Sequence, residues 1–135
     1  MFERFGVEVE VNLEMAGRET LLYQLVFYVP VNHCEAVKDA IFAAGAGRLG
    51  DYERCAWQVC GQGQFRPVGG ATPFLGEVGV EERLEEIRVE CVIQSTLVRD
   101  VLEALIAAHP FEEPAYGVWP LMTVSEFPGV SSVDA

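Results

Sequence analysis

One imidazole and two carboxylates lie close together after the last predicted helix. His109 is followed by Pro110, Phe111, Glu112 and Glu113. Imidazole nitrogens and carboxylate oxygens are common ligands of divalent cations, so His109, Glu112 and Glu113 form a candidate metal site. The alternative is structural, with His109 favouring the end of a helix dipole and the glutamates solvated. The spacing leaves both interpretations open.

A glycine-rich stretch with one arginine runs from residue 61 to residue 70. Successive backbone amides in such a turn can point at a phosphate, and Arg66 could add a bidentate charge. Gly61, Gly63 and Arg66 are therefore candidate ligand-binding residues. The stretch is neither a P-loop nor a dinucleotide-binding turn, because no helix follows it. Glycines that only let a loop turn are the alternative.

Two other groups carry weaker chemical signals. His33 could supply a ligand but is more often a surface residue. An acidic run flanked by Arg83 and Arg88 lacks the spacing of a Ca²⁺ loop and is interpreted as a solvated approach to a strand. The run consists of Glu77, Glu81, Glu82, Glu85 and Glu86.

Nucleophilic catalysis has little support in the sequence. There is no G-x-S-x-G motif, and no cysteine lies in a basic setting. The four cysteines form no C-x-x-C pair and lie in apolar segments, so we expect reduced core thiols in the cytoplasm. They are Cys34, Cys55, Cys60 and Cys91.

Composition limits the classes of partner. The 135 residues contain 9 Lys+Arg and 21 Asp+Glu, which gives a formal net charge of −12. Nucleic acid is disfavoured because phosphate neutralisation needs clustered basic side chains, and an anionic membrane surface would repel the chain. The acidic N-terminus does not fit a signal peptide, and the longest apolar run is too short to span a membrane. A chain that is 50% hydrophobic is expected to fold as one domain.

The elements that must position these residues begin with a nearly continuous apolar run over 21–29, which predicts a central strand buried on both faces. Asn32 and Glu35 form a capping-box-like pair that predicts a helix start. Gly45-Ala46-Gly47 predicts its end. Residues 52–59 are predicted to be a second strand, and 61–79 a long loop or extended hairpin end.

The second half of the chain alternates again over 83–94, which predicts a third strand. Ser95 or Thr96 is predicted to cap a second helix, which must stop at His109 because Pro110 follows. Residues 115–124 supply a last strand, and 125–135 are expected to be a flexible tail. The apolar stripe of the helix comprises Leu97, Val98, Val101, Leu102, Leu105 and Ile106.

The order of elements over residues 21–124 predicts an α+β fold, a ferredoxin-like βαββαβ sandwich. Residues 1–20 are expected to form an extension with an extra N-terminal edge strand, because apolar and polar residues alternate there. Right-handed crossovers place both helices on one sheet face and leave the other bare. Because the first strand is apolar on both sides, we expect another subunit to cover the bare face.

Four segments of the chain form a recognisable set, namely Tyr23–Pro30, Ala44–Tyr52, Gly63–Pro67 with Gly70–Gly79, and His109–Tyr116. Together they resemble the domain inserted in the middle of many NIF-three-like proteins. The match runs in order from about Leu22 to Leu121. The His-Pro-aromatic-Glu turn is also similar to that of CutA divalent-ion tolerance proteins, whose fold is related to PII signalling proteins.

The resemblance implies a PII/CutA-like subunit that packs its sheets around a three-fold axis, with ligands or ions in clefts between subunits. Carried over by position, it implies ligand binding by Arg66, its neighbouring glycines and Tyr116. The same transfer implies ion binding by His109, Glu112 and Glu113. The paired-metal site of full-length NIF-three-like proteins belongs to two flanking halves that this chain lacks, so hydrolase-like activity is not expected.

The leading hypothesis is a non-enzymatic, cytoplasmic homo-oligomer, with a trimer favoured. It would act as a binding or regulatory module that takes a small ligand or a divalent metal ion at inter-subunit clefts. One alternative is an enzyme of unknown reaction assembled at the interface from His109, Glu113 and Arg66. Another is a structural module that docks a protein partner through its sheet edge or acidic face. The sequence does not identify the ligand or any cofactor.

Overall fold

The computed structural model describes residues 21–122 and Gly129. Its elements follow the predicted order of strand, helix, strand, strand, helix and strand. The predicted N-terminal strand within 1–20 lies outside the described residues, as does the tail 125–135 apart from Gly129. The elements are β1 (Leu22–Pro30), α1 (Cys34–Ala43), β2 (Trp57–Phe65), β3 (Glu82–Gln94), α2 (Val98–Ala108) and β4 (Tyr116–Leu121).

The four strands form one sheet in the order β2-β3-β1-β4, and every neighbouring pair is antiparallel. β1 and β3 are therefore the central strands, which agrees with the prediction from the apolar run in β1. The predicted α+β ferredoxin-like class is confirmed by this topology.

The core lies between the sheet and the two helices. Alternate residues of β1 and β3 point into it, and each is at most 8% exposed. Burying a large apolar side chain contributes about 1.5–3 kcal/mol, so these two rows provide much of the free energy of folding. They comprise Tyr23, Leu25, Phe27 and Val29 in β1, and Ile87, Val89, Cys91 and Ile93 in β3.

Helix α2 matches its predicted stripe and its predicted end. The stripe residues from Val98 to Ile106 are buried, and Leu97 packs partly against the core. The helix stops at Ala108, and His109 follows with extended backbone angles of φ −72° and ψ 137°. Pro110 explains the stop because it disfavours helical geometry in the residue before it.

Both predicted helix caps are wrong. His33 occupies the N-cap of α1, Leu97 occupies that of α2, and neither side chain makes a capping hydrogen bond. A short 3-10 turn precedes each helix, over Val31–His33 and Ser95–Leu97. The first of these turns supplies an acceptor from the backbone itself, since the amide of Cys34 donates to Val31 O. Side-chain caps are then not needed to start the helix.

The predicted boundaries of the second strand are also wrong. Residues before Trp57 form a turn in which Leu49 and Tyr52 make an isolated bridge and Arg54 adopts a positive φ of 59°. β2 continues through Gly61 and Gly63 because β3 offers a continuous hydrogen-bonding partner there. The start of the stretch 61–79 is therefore an extended hairpin end, one of its two predicted forms, and the loop begins only after Phe65.

The cysteine prediction holds in part. Cys34 and Cys91 are buried in the core, whereas Cys55 is half-buried and Cys60 is exposed on β2. Cys60 lies on β2, which is an edge strand of the sheet. All four thiols are free. Burial raises the pKa of Cys91 to about 12.

Neither helix of the described region has the length and apolar character needed to cross a membrane.

Candidate functional site

The two predicted motifs meet in space, because the β2–β3 loop packs against the turn between α2 and β4. The backbone amide and the hydroxyl of Thr72 donate to the Glu112 carboxylate, at 3.1 Å and 2.9 Å. The Phe111 ring lies 5.9 Å from the Phe65 ring and 6.3 Å from the Phe74 ring. Hydrogen bonds and ring contacts thus join two segments about 40 residues apart.

His109 fastens the turn to the central strand β1. The residue is 6% exposed, and its Nε2 atom donates to the carbonyl oxygen of Tyr28 at 2.6 Å. The backbone amide of Phe111 donates to Nδ1 at 3.1 Å, which fixes the proton on Nε2. Burial lowers the pKa of His109, against the opposing effect of the Tyr28 hydrogen bond. Neither ring nitrogen is left free for a metal or for a proton transfer.

A cleft of about 400 Å³ opens between the β2–β3 loop and this turn. Its walls are mainly apolar, with one arginine and three carboxylates at the edges. Apolar clefts of this volume that carry a few polar groups are typical small-molecule sites. The lining residues are Gln64, Phe65, Arg66, Pro67, Val68, Ala71, Pro73, Glu86, Phe111, Glu112, Glu113 and Ala115.

Glu86 lies in the cleft because β2 makes room for it. A Cβ built on Gly63 would overlap the Glu86 carboxylate, so the missing side chain of this glycine leaves the space that the carboxylate fills. The Glu86 side chain is half-buried, and burial raises its pKa. The expectation that the whole acidic run is solvated is therefore wrong for Glu86.

The predicted site residues fall into two groups. Arg66, Glu112 and Glu113 line the cleft. Gly61, Gly63, Tyr116 and His109 are not among the described residues that line it. Gly61 faces open space on the edge strand, and the Tyr116 side chain packs partly against the core. Gly63 and His109 influence the cleft indirectly. Gly63 leaves room for the Glu86 side chain, and His109 attaches the turn after α2 to β1.

A metal site does not assemble from the predicted residues within one chain. In the described part of the chain, no three His, Cys, Asp or Glu side chains come together in a group that could hold a metal ion. Both oxygens of Glu112 accept hydrogen bonds from Thr72, and both nitrogens of His109 are bonded. A divalent ion here would have to draw ligands from another subunit.

Glu86, Phe65 and Phe111 line the cleft, but sequence reasoning did not select them as site residues. Phe111 lies inside the motif and could have been included as a wall. Glu86 shares its strand face with Arg88 and Glu90, but its position depends on the register that sets β3 against β2. That register appears only once the strands are paired.

His33 borders a second cleft of about 410 Å³ with Pro30, Phe74 and Leu75. Its ring meets the Phe74 ring edge-on at 5.4 Å, and its Nδ1 atom is buried without a hydrogen bond. His33 is half-buried and packs against the β2–β3 loop through Phe74, so it is not a fully exposed surface residue.

The sheet face opposite the helices combines exposed apolar side chains with a polar network. Arg88 donates to Glu90 and to the Tyr28 hydroxyl, both at 3.1 Å. Trp57, Val59 and Trp119 are 60%, 44% and 43% exposed. The register places Trp57 opposite Glu90 and Val59 opposite Arg88, so these side chains share one face. Glu86 belongs to the same face, so the cleft borders it.

Comparison with known proteins supports the resemblance that the motifs indicated. The chain is 46% identical over 118 residues to the GTP cyclohydrolase 1 type 2 homolog of Mycobacterium leprae, covering 87% of this chain and 31% of that protein. A crystal structure of a Bacillus cereus protein related to NIF3 matches at a TM-score of 0.67 and 40% identity, covering 77% of this chain and 26% of that one. No protein-family model matches the chain.

CutA proteins share the fold at much lower identity. CutA1 from Shewanella sp. SIB1 matches at a TM-score of 0.57 and 11% identity, covering 78% of this chain and 86% of that one. The chain thus has the ferredoxin-like fold that CutA1 also has. It resembles one part of NIF3-related proteins and spans about a third of the length of the relatives it matches.

Proposed function

We propose that the protein is a non-enzymatic, oligomeric binding or regulatory module that takes a small ligand at a cleft bordered by a neighbouring subunit. The observation that carries this proposal is the position of the cleft. It opens where the two sequence motifs meet, and Glu86 links it to the sheet face opposite the helices, which no described element covers and which we call the uncovered sheet face. A ligand held there could change how subunits associate, and association could change how tightly the ligand binds.

A second copy of this chain is the occupant that suits the uncovered face. Exposed tryptophans next to valine are unfavourable in water, and aromatic residues and arginine are enriched in subunit interfaces. Arg88 already pairs with Glu90, so little net charge would be buried when two faces meet. The trimer that the CutA resemblance implies would cover all three faces together and keep most of the −12 charge of each chain at the periphery.

The activity named in the M. leprae relative is not carried over, because this chain spans only 31% of that protein. If the ligand is a divalent ion, two subunits must supply its donor atoms. The cytoplasm is the proposed location, which four free thiols suit.

The experiment is sedimentation velocity of the parent chain, a Trp57→Glu variant and a Tyr52→Glu control. Tyr52 is 76% exposed but lies in the turn before β2, away from the sheet face. The proposal expects the parent and the Tyr52 variant to be oligomers and the Trp57 variant to dissociate. An oligomer that is insensitive to Trp57→Glu would contradict the proposed interface.

A further inference from the structure

Two oppositely charged side chains border the cleft without a partner among the described residues. Arg66 and Glu86 each make no hydrogen bond or ion pair with any described residue, including one another. By contrast, Glu112 is occupied by Thr72, and Glu113 has an interaction within the chain. One cation and one anion therefore remain available to a molecule in the cleft.

Glu86 is the more informative of the two. A half-buried carboxylate without donors is unfavourable, since burial removes water that it would otherwise bind. Burial accordingly raises its pKa. A bound ammonium group would supply the missing donors and the compensating charge. The glycine at position 63 leaves room for the carboxylate in this place, because any Cβ there would overlap it.

The rest of the cleft favours an apolar body between two charged ends. Phe65, Pro67, Pro73 and Phe111 form its walls, and about 400 Å³ accommodates a molecule of amino-acid size. A simple anion at Arg66 would be repelled by three nearby carboxylates. A simple cation at Glu86 would leave Arg66 unpaired.

We infer that the cleft binds a small zwitterion, an amino acid with an apolar side chain, whose carboxylate pairs with Arg66 and whose ammonium pairs with Glu86. This inference rests on the proposed function and names the ligand class of the same site. Charge-assisted hydrogen bonds at both ends provide selectivity over molecules that carry only one of the charges.

The test is isothermal titration of the full chain with L-phenylalanine and L-leucine. Phenethylamine, which lacks the carboxylate, and hydrocinnamate, which lacks the ammonium, are the matched control ligands. We expect L-phenylalanine to bind about tenfold or more tightly than either control, because each lost charge pair removes that much affinity. Equal binding of phenethylamine and L-phenylalanine would overturn the zwitterion and leave a cation site.

Variants assign the two ends. Arg66→Gln is expected to reduce L-phenylalanine affinity about tenfold and to leave phenethylamine affinity unchanged. Glu86→Gln is expected to reduce L-phenylalanine affinity by a similar factor and to leave hydrocinnamate affinity unchanged. Arg48→Gln, an exposed arginine on a different loop, is the control and is expected to bind like the parent. Circular dichroism checks that each variant is folded. If an oligomeric parent binds no amino acid, the ligand class is overturned and the proposed oligomer stands, whereas a monomeric parent overturns the proposed function itself.

Discussion

The Nε2 atom of His109 lies 2.6 Å from the carbonyl oxygen of Tyr28, 81 positions earlier in the chain. Tyr28 in turn donates its own amide to the carbonyl oxygen of Ala115 at 3.1 Å. These two hydrogen bonds attach both ends of the turn after α2 to the central strand β1. Glu112 and Glu113, the two cleft carboxylates on this turn, are therefore placed by a buried, neutral imidazole, which makes His109 a positioning residue.

His109→Ala is expected to destabilise the fold by about 1–3 kcal/mol, because it leaves the Tyr28 carbonyl and the Phe111 amide without their partner. His109→Gln is the matched control, since its amide nitrogen can still donate to Tyr28 and it should lose less. Urea unfolding measures both. Equal stability of His109→Ala and the parent would contradict the positioning role.

Stability should depend on pH through His109. Its pKa in the folded chain is lowered from 6.5, so between the two pKa values the unfolded chain binds a proton that the folded chain does not bind. The free energy of unfolding must then fall as the pH decreases from about 6.5 toward the folded pKa. Urea unfolding at several pH values should show this loss in the parent and a smaller loss in His109→Gln. Identical pH profiles would exclude His109 as the cause.

Glu86 should contribute with the opposite sign. Its folded pKa is raised from 4.5, so the folded chain binds a proton more tightly than the unfolded chain. This contribution is present at low pH and is lost as the pH rises through the folded pKa. Gly63→Ala should displace the carboxylate into water and return its pKa toward 4.5, as NMR titration of the side-chain carbonyl would report. Gly61→Ala is the control, because a Cβ there meets nothing within 4 Å.

The contact between Thr72 and Glu112 should control the mobility of the β2–β3 loop. Thr72→Val removes the hydroxyl donor, and because the contact is exposed we expect a loss of less than about 1 kcal/mol in global stability. Amide hydrogen exchange over residues 66–80 should nonetheless become faster. Thr72→Ser keeps the hydroxyl and should exchange like the parent. Unchanged exchange in Thr72→Val would show that ring contacts alone hold the loop.

Gly47 is a position at which glycine is required by the backbone. It has a φ of +79°, and a Cβ would lie 2.8 Å from the Cys55 carbonyl oxygen. Its amide donates to Val92 and its carbonyl accepts from Cys55, so the backbone cannot move away easily. Gly47→Ala is expected to cost about 1–3 kcal/mol in thermal or urea unfolding. Gly69→Ala, where nothing lies within 4 Å, should change stability by less than about 0.5 kcal/mol.

Periodicity predicted the order of elements, the central position of β1 and the end of α2 at Pro110, because each depends on burial or on local sterics. The predicted side-chain caps at Asn32 and Ser95 are wrong, because a short 3-10 turn precedes each helix. At Gly61 and Gly63 the sequence left a loop and an extended hairpin end open, and only the pairing with β3 decides for the hairpin. The cleft residues also differ in whether local sequence or strand pairing reveals them. Arg66 and Glu112 were recognisable from their motifs, whereas Glu86 joins them only through strand register.

The proposed oligomer depends on the uncovered sheet face, and its most direct test is the molar mass of the parent chain by multi-angle light scattering at micromolar concentration. An oligomer is predicted, with three times the 14.9 kDa chain mass if the subunits meet about a three-fold axis. A mass of 14.9 kDa would mean that Trp57, Val59 and Trp119 stay exposed in solution, and it would contradict the oligomeric module proposed for this protein.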